Sequence, residues 1–270
     1  MKAILRKYVV RIGLATFVFF SLAPIMYLIL LAFLPQSSFI SNESVFVELR
    51  NGLTLKNFSA AVTHTQFAKR AMISVQMTVL VVAIIAVLGL PAAHAVARLP
   101  KIVRERVAFS FLSVRMLPGV AICLPVFWLF NRPGLVPGWL SLGFLHLGFN
   151  LPVLIWLSVP IFRSVPVQLE EAALVDGLSR WRILVCVVLP LVSRRLLGVV
   201  LIIALLIWNE SLFSTIFRVD TVTEVIPSLI THRGVQWGLV MAVGTMVVIP
   251  ALALLCGVIY CRWGLEEWEH

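Results

Sequence analysis

QLEEAALVDGLSRW, residues 168–181, holds three of the chain's 12 acidic residues, Glu170, Glu171 and Asp176, and breaks after them at Gly177. Pro166 suits a first helical turn, where no N–H partner is needed. Glu170 and Glu171 follow early enough to favour the positive end of the helix dipole. Leu169, Ala172, Ala173 and Asp176 recur at spacings of three and four and are expected to share one face. The two alanines allow close approach of another surface. Gly177 can take the left-handed conformation that ends helices, and Ser179 is predicted to cap a second helix running from Trp181 toward Leu189 and Pro190. The stretch therefore reads as helix, glycine bend, helix.

Its surroundings are apolar. The 270 residues are 61% hydrophobic and 13% charged, with mean hydropathy +1.03, far from the composition of soluble domains. Six runs, about 12–34, 71–97, 107–130, 138–162, 196–217 and 238–261, are each long enough to cross a bilayer. Helices satisfy every backbone polar group in lipid, so the predicted fold is an all-α integral membrane protein with six transmembrane helices. Internal prolines (Pro24, Pro118, Pro125, Pro152, Pro250) are expected as tolerated kinks. The basic N-terminus, Lys2, Arg6, Lys7 and Arg11, precedes a run with no A-x-A cleavage pattern, which predicts an uncleaved first span.

With both termini placed in the cytoplasm, 14 Lys and Arg fall inside and 7 outside, and Arg115 falls within a span. That bias fits the positive-inside rule and accounts for the net charge of +10 without nucleic acid, since no basic-aromatic motif accompanies it. Residues 168–181 then lie in a cytoplasmic loop between the fourth and fifth spans. A helix resting on anionic lipid presents Lys and Arg; this one presents carboxylates, which calls for a protein partner instead. Cys123, Cys186, Cys256 and Cys261 sit in or beside apolar runs without a C-x-x-C pair, and neither disulfides nor a metal site are expected.

The spacing Glu171-Ala172-Ala173, Gly177, Val187, Leu189-Pro190, with Asp176 in place, resembles the E-A-A signature of binding-protein-dependent ABC importer permeases. LTLKNF (53–58), AAHAVARLP (92–100), FNLPVLIWLSVPIFRSVP (149–166), WNESLF (208–213), EVIPSL (224–229) and WGLVMA (237–242) extend the similarity to the maltose-type carbohydrate permeases. His94 departs from the family's usual Tyr, Arg194 stands where a Pro often follows, and the tail carries Glu266, Glu267 and Glu269.

The resemblance implies a domain plan of 1–70 for the first helix and an extracytoplasmic loop, 71–262 for the importer transmembrane domain with a coupling helix at about 167–182, and 263–270 for a cytoplasmic tail. It implies ATPase-coupling roles for Glu170, Glu171, Ala172, Ala173, Asp176 and Gly177. Implied partners are a second permease subunit, two ATPase subunits and an extracytoplasmic binding protein, in a bacterial or archaeal cytoplasmic (inner) membrane. The chain has no G-x-x-x-x-G-K-[ST] loop, so ATP and Mg are expected on the partner ATPase and no cofactor in this chain. The implied cargo is a sugar or related polyhydroxyl solute.

Candidate pathway residues are Trp208, Asn209, Glu210 and Asn150. Glu210 and Asn209 interrupt an apolar span and suit solute contact or a cap ending that span; Trp208 offers a stacking face. Asn150 and His146 are expected at the membrane interface, and Arg115 near the inner end of the third span. A polyamine or phosphonate cargo and a membrane enzyme acting on lipid-linked substrates are the competing readings. The enzyme needs convergent acid, base or metal groups, whereas Arg115 and Glu210 are expected at different depths.

Overall fold

Amides in hydrocarbon have no water to bond, so a chain this apolar folds into helices. The computed structural model, which describes residues 2–39, 52–130, 136–231 and 234–263, is helical almost throughout. In chain order the helices are α1 (Lys2–Ala32), α2 (Lys56–His64), α3 (Phe67–Ala97), α4 (Lys101–Met116), α5 (Gly119–Phe130) and α6 (Gly138–Arg163). They continue as α7 (Val167–Val175), α8 (Arg180–Trp208), α9 (Leu212–Phe217), α10 (Val225–Ser228) and α11 (Trp237–Trp263). A two-residue antiparallel ladder pairs β1 (Ile230–Thr231) with β2 (Gly234–Val235). Five helices are long and apolar enough to cross a membrane, and six spans result if the bent pair α4 and α5 is one of them. Glu266, Glu267 and Glu269, expected in an acidic tail, lie outside the described residues.

Two expected segments take a different form. The run 107–130 is not one straight helix: α4 and α5 meet at 78°. Pro118 pushes the residue before it out of helical space, and Leu117 is accordingly extended at φ −69°, ψ 135°. The run 196–217 is replaced by α8, which starts 16 residues earlier at Arg180 and ends at Trp208. The second short helix expected after Ser179 is thus roughly the first two to three turns of a membrane-length helix. Pro190 is accommodated because residues Leu184–Val188 form a π turn, with the Leu189 N–H donating to the Leu184 carbonyl. The wider turn relieves the clash a proline ring makes with the preceding turn.

The chain divides into two compact units, one of Met1–Lys69 with Val225–Ile249 and one of Arg70–Glu224 with Pro250–His270. In the first, Asn57 of the KNF segment is buried and its Nδ2 donates to the carbonyls of Ala32 (2.9 Å) and Leu34 (2.7 Å). These carbonyls lie at and just past the end of α1, where helices leave acceptors unpaired. Gly238 packs against Asn57 so closely that a Cβ there would fall 2.8 Å from its amide, and the Gly238 N–H donates to Gln36 Oε1 at 3.0 Å. The amide of Asn57 thus fastens α2 to the end of α1, and Gln36 holds the start of α11 beside it.

In the second unit, α3, α6 and α8 build the core around Val81, Ile85, Leu142, Leu154 and Ile203. Gly89 allows α3 and α6 to approach, since a Cβ on it would lie 2.6 Å from Leu154 Cδ2. Ala93, Phe162, Ile183 and Val188 form a second core near the far end of α3. At the opposite end Arg70 pairs with Asp220 (3.0 Å) and Glu224, and Ser74 Oγ accepts the Val222 N–H at 2.8 Å.

Candidate functional site

The charged stretch folds as its residues dictate. Pro166 stands just before α7 and Glu170 lies in its first turn. At the other end the Leu178 N–H donates to the Ala173 carbonyl (3.1 Å) and the Gly177 N–H to the Leu174 carbonyl (3.0 Å). This paired closure requires a left-handed residue, and Gly177 has φ +84° with open space where a Cβ would point. Conformation, not crowding, selects glycine here. Ser179 then caps α8, its Oγ accepting the Arg182 N–H at 3.5 Å.

The two adjacent glutamates differ in burial. Glu170 turns inward, its side chain 13% exposed, and accepts from Arg98 Nε at 2.8 Å and from Arg98 Nη2. His94 Nε2 lies 3.2 Å from both Glu170 oxygens, and Arg98 Nη2 also donates to the Val165 carbonyl at 3.2 Å. Burial pushes the Glu170 carboxyl up, but hydrogen bonds from Arg98 and His94 and their charges outweigh it and hold it below the usual carboxylate range. Ala173, one turn on, is buried beside it. Glu171, Ala172 and Asp176 are exposed, as are Leu174, Val175 (87%) and, at the start of α8, Trp181 (62%). The shared face expected for Leu169, Ala172, Ala173 and Asp176 is therefore split: Ala173 packs inward with Glu170, while the other three face out. A cavity of about 880 Å³ opens between α7, the end of α3 and the start of α8, with Arg98, Glu170, Glu171, Arg180 and Trp181 in its walls.

A second polar group lies inside the bundle. Arg115, His146, Asn150, Glu210 and Phe213 line a cavity of about 210 Å³ beside the α4–α5 break. Arg115 and Glu210, expected at different depths, share this cavity because the break at Pro118 turns the end of α4 toward α6 and α8. His146 and Asn150, expected at an interface, are each 3% exposed. Asn150 is 12 residues into the 26-residue α6, about 18 Å from its start at 1.5 Å per residue and so near mid-helix. Asn150 Nδ2 donates to the His146 carbonyl at 2.9 Å, while its Oδ1 is buried without a partner. The Arg115 guanidinium stands 6.0 Å from the centre of the Phe149 ring.

Glu210 caps α9, accepting the N–H groups of Phe213 (2.7 Å) and Ser214 (3.4 Å). Trp208 is buried and lines an adjoining hollow with Ser74 and Thr78, whose walls include His146 and Glu210 as well. Asn209 is exposed, and its Nδ2 bonds back to the Leu205 carbonyl at 2.9 Å. Arg115 and His146 thus join Asn150 and Glu210, Trp208 reaches the same His146 and Glu210 from the adjoining hollow, and Asn209 lines neither.

Membrane-length helices, a helix–glycine–helix corner and a polar hollow at mid-depth define a polytopic membrane protein of the transport type. Residues 85–263 match the family described as binding-protein-dependent transport system inner membrane component. A probable ABC transporter permease protein of Sinorhizobium fredii is 31% identical over 204 residues, covering 74% of this chain and 73% of that one. The trehalose/maltose transport system permease protein MalG of Thermococcus litoralis is 26% identical over 261 residues, covering 93% and 91%. A solved bacterial ABC transporter involved in import of the acidic polysaccharide alginate contains a chain of the same fold, with TM-score 0.69 and 18% identity over 95% of this chain and 96% of that one. The chain belongs to the binding-protein-dependent transport system inner membrane component family, the permease subunits of ABC importers.

Proposed function

We propose that this chain is a membrane-spanning subunit of an ATP-driven importer for a sugar or related polyhydroxyl solute delivered by an extracytoplasmic binding protein. Both termini face the cytoplasm, and α7 with the Gly177 bend is the coupling helix. The observation that carries this reading is the division of labour across α7. Glu170 ties the helix to α3 through Arg98 and His94, while Glu171, Val175 and Trp181 are left exposed for the ATPase subunit. ATP and Mg bind that partner, and a second permease subunit completes the pathway.

A rigid α7 moves as one body with α3 and α8 when the ATPases close, switching the pathway between outward-facing and inward-facing states. The cavity of Arg115, His146, Asn150 and Glu210 is the part of the solute path contributed by this subunit. Hydroxyl groups suit it: the unpartnered Asn150 Oδ1 accepts from one and Arg115 donates to another. The trehalose/maltose permease among its relatives supports a carbohydrate cargo.

The test is reconstitution with the neighbouring-gene ATPase, second permease and binding protein in proteoliposomes. Glu171→Lys should abolish solute uptake while the chain still inserts and pairs with the second permease. Normal uptake by this variant would refute the coupling assignment.

A further inference from the structure

We propose that the groove between α4 and α6 binds an anionic phospholipid, with the phosphate at Arg104 and Arg163 and one acyl chain along Trp156 and Pro160. The groove is a cavity of about 260 Å³, walled by Arg104, Glu105 and Ala108 from α4 and by Trp156, Pro160 and Arg163 from α6. Arg104 and Arg163 also line the 880 Å³ cavity beside α7, together with Arg98, Arg180, Glu170 and Glu171, so both arginines border both cavities. Neither makes an ion pair with a carboxylate among the described residues. Arg104 spends Nη1 on the Leu99 carbonyl at 3.1 Å, which steadies the side chain and leaves its other donors free. Two forked cations bordering one groove match a phosphodiester.

The apolar end lies at the right depth. Arg163 closes the membrane-length helix α6, at the level of headgroups. Trp156, 40% exposed, is seven residues earlier, about 10 Å deeper along the helix, where an indole suits the boundary between headgroup and chain. Pro160 between them has no N–H to present. Glu105 is the acid in these walls, and Arg98, Lys101, Arg104 and Arg106 surround it in sequence, so the positive excess remains. Free phosphate would satisfy only the arginine end and a neutral sterol only the apolar strip; an anionic phospholipid satisfies both. The inference rests on the permease reading, which puts this end in the anionic cytoplasmic leaflet.

The importer complex, stripped with detergent and exposed to phosphatidylglycerol or phosphatidylcholine, is examined by native mass spectrometry. Phosphatidylglycerol should be retained preferentially. The Arg104→Gln, Arg163→Gln double variant should lose about thirtyfold of that retention, at roughly 1 kcal/mol per arginine, and the double Lys variant should recover most of it. Trp156→Ala, which leaves both cations in place, should lose retention severalfold, and it serves as the reading if the Gln variant does not assemble. Equal retention of the two lipids, full retention by either the Gln or the Trp156→Ala variant, or displacement by inorganic phosphate overturns the proposal. Failure of the unaltered chain to assemble with an ATPase strikes at the permease reading instead.

Discussion

Glu170→Gln removes the charge that fastens α7 to α3 while preserving side-chain volume. The carboxylate accepts from Arg98 and lies 3.2 Å from His94 Nε2, with side-chain exposures of 13% for Glu170 and 21% for Arg98. A hydrogen bond to a charged group contributes about 1.5–3 kcal/mol, and breaking a fully buried pair costs about 3–5 kcal/mol. Partial exposure places this site between, at about 2–3 kcal/mol. At 1.4 kcal/mol per tenfold, the ratio of docked to loosened α7 should fall roughly 30- to 150-fold. Hydrogen exchange at the amides of residues 172–178 reads that ratio directly, and uptake in proteoliposomes reads its consequence. Both should suffer in Glu170→Gln, and the exchanged pair Glu170→Arg with Arg98→Glu should restore part of each. The lowered carboxyl gives a pH signature with a fixed sign. The stabilisation is complete above the ordinary glutamate range near about 4.3 and drains away as pH falls from there through the lower folded value. Protection of α7 that is unchanged in Glu170→Gln, or that is lost on raising rather than lowering the pH, would refute the clamp.

Three further outcomes follow from geometry. Gly177→Leu forces a side chain into φ +84°, a cost of about 1–2 kcal/mol; uptake should fall while Gly177→Asn retains more of it, read in the same vesicles. Asn57→Leu strands the carbonyls of Ala32 and Leu34 at about 1–3 kcal/mol, and should lower the thermal unfolding midpoint of the purified chain, with Gly238→Ala lowering it too through the 2.8 Å contact. Gly89→Val meets Leu154 Cδ2 inside van der Waals distance and should cost about 1–3 kcal/mol, visible as lower yield of monodisperse protein, partly relieved by Leu154→Ala.

Much of the architecture was legible because lipid leaves a chain few options. Runs of apolar residues became helices, and the E-A-A spacing with Gly177 located the corner between α7 and α8. The broken third span was legible in part, since Pro118 announced a kink but not an angle of 78°. What could not be read was which partner each polar group meets. Glu170 and Glu171 are neighbours of identical chemistry, and only the packing of α7 on α3 decides which turns toward Arg98, 72 residues away in the chain. That Arg115 and Glu210 line one cavity depends likewise on the turn at Pro118. The overhang of α8 past its expected start was hidden by Pro190, Arg194 and Arg195, which divide what is one helix into a short helix ending at Pro190 and a span beginning at 196.

That continuity has a mechanical meaning. From the turn capped by Ser179 to the end beside Glu210, α8 runs 29 residues, about 43 Å of hydrogen-bonded backbone. Under the proposed coupling role, force applied at Trp181 reaches the mid-depth hollow through a single strut, with no hinge loop to absorb the stroke. The π turn at Leu184–Val188 interrupts the regular ladder near the Ser179 end, where slack under that role would soften the input without blurring the output.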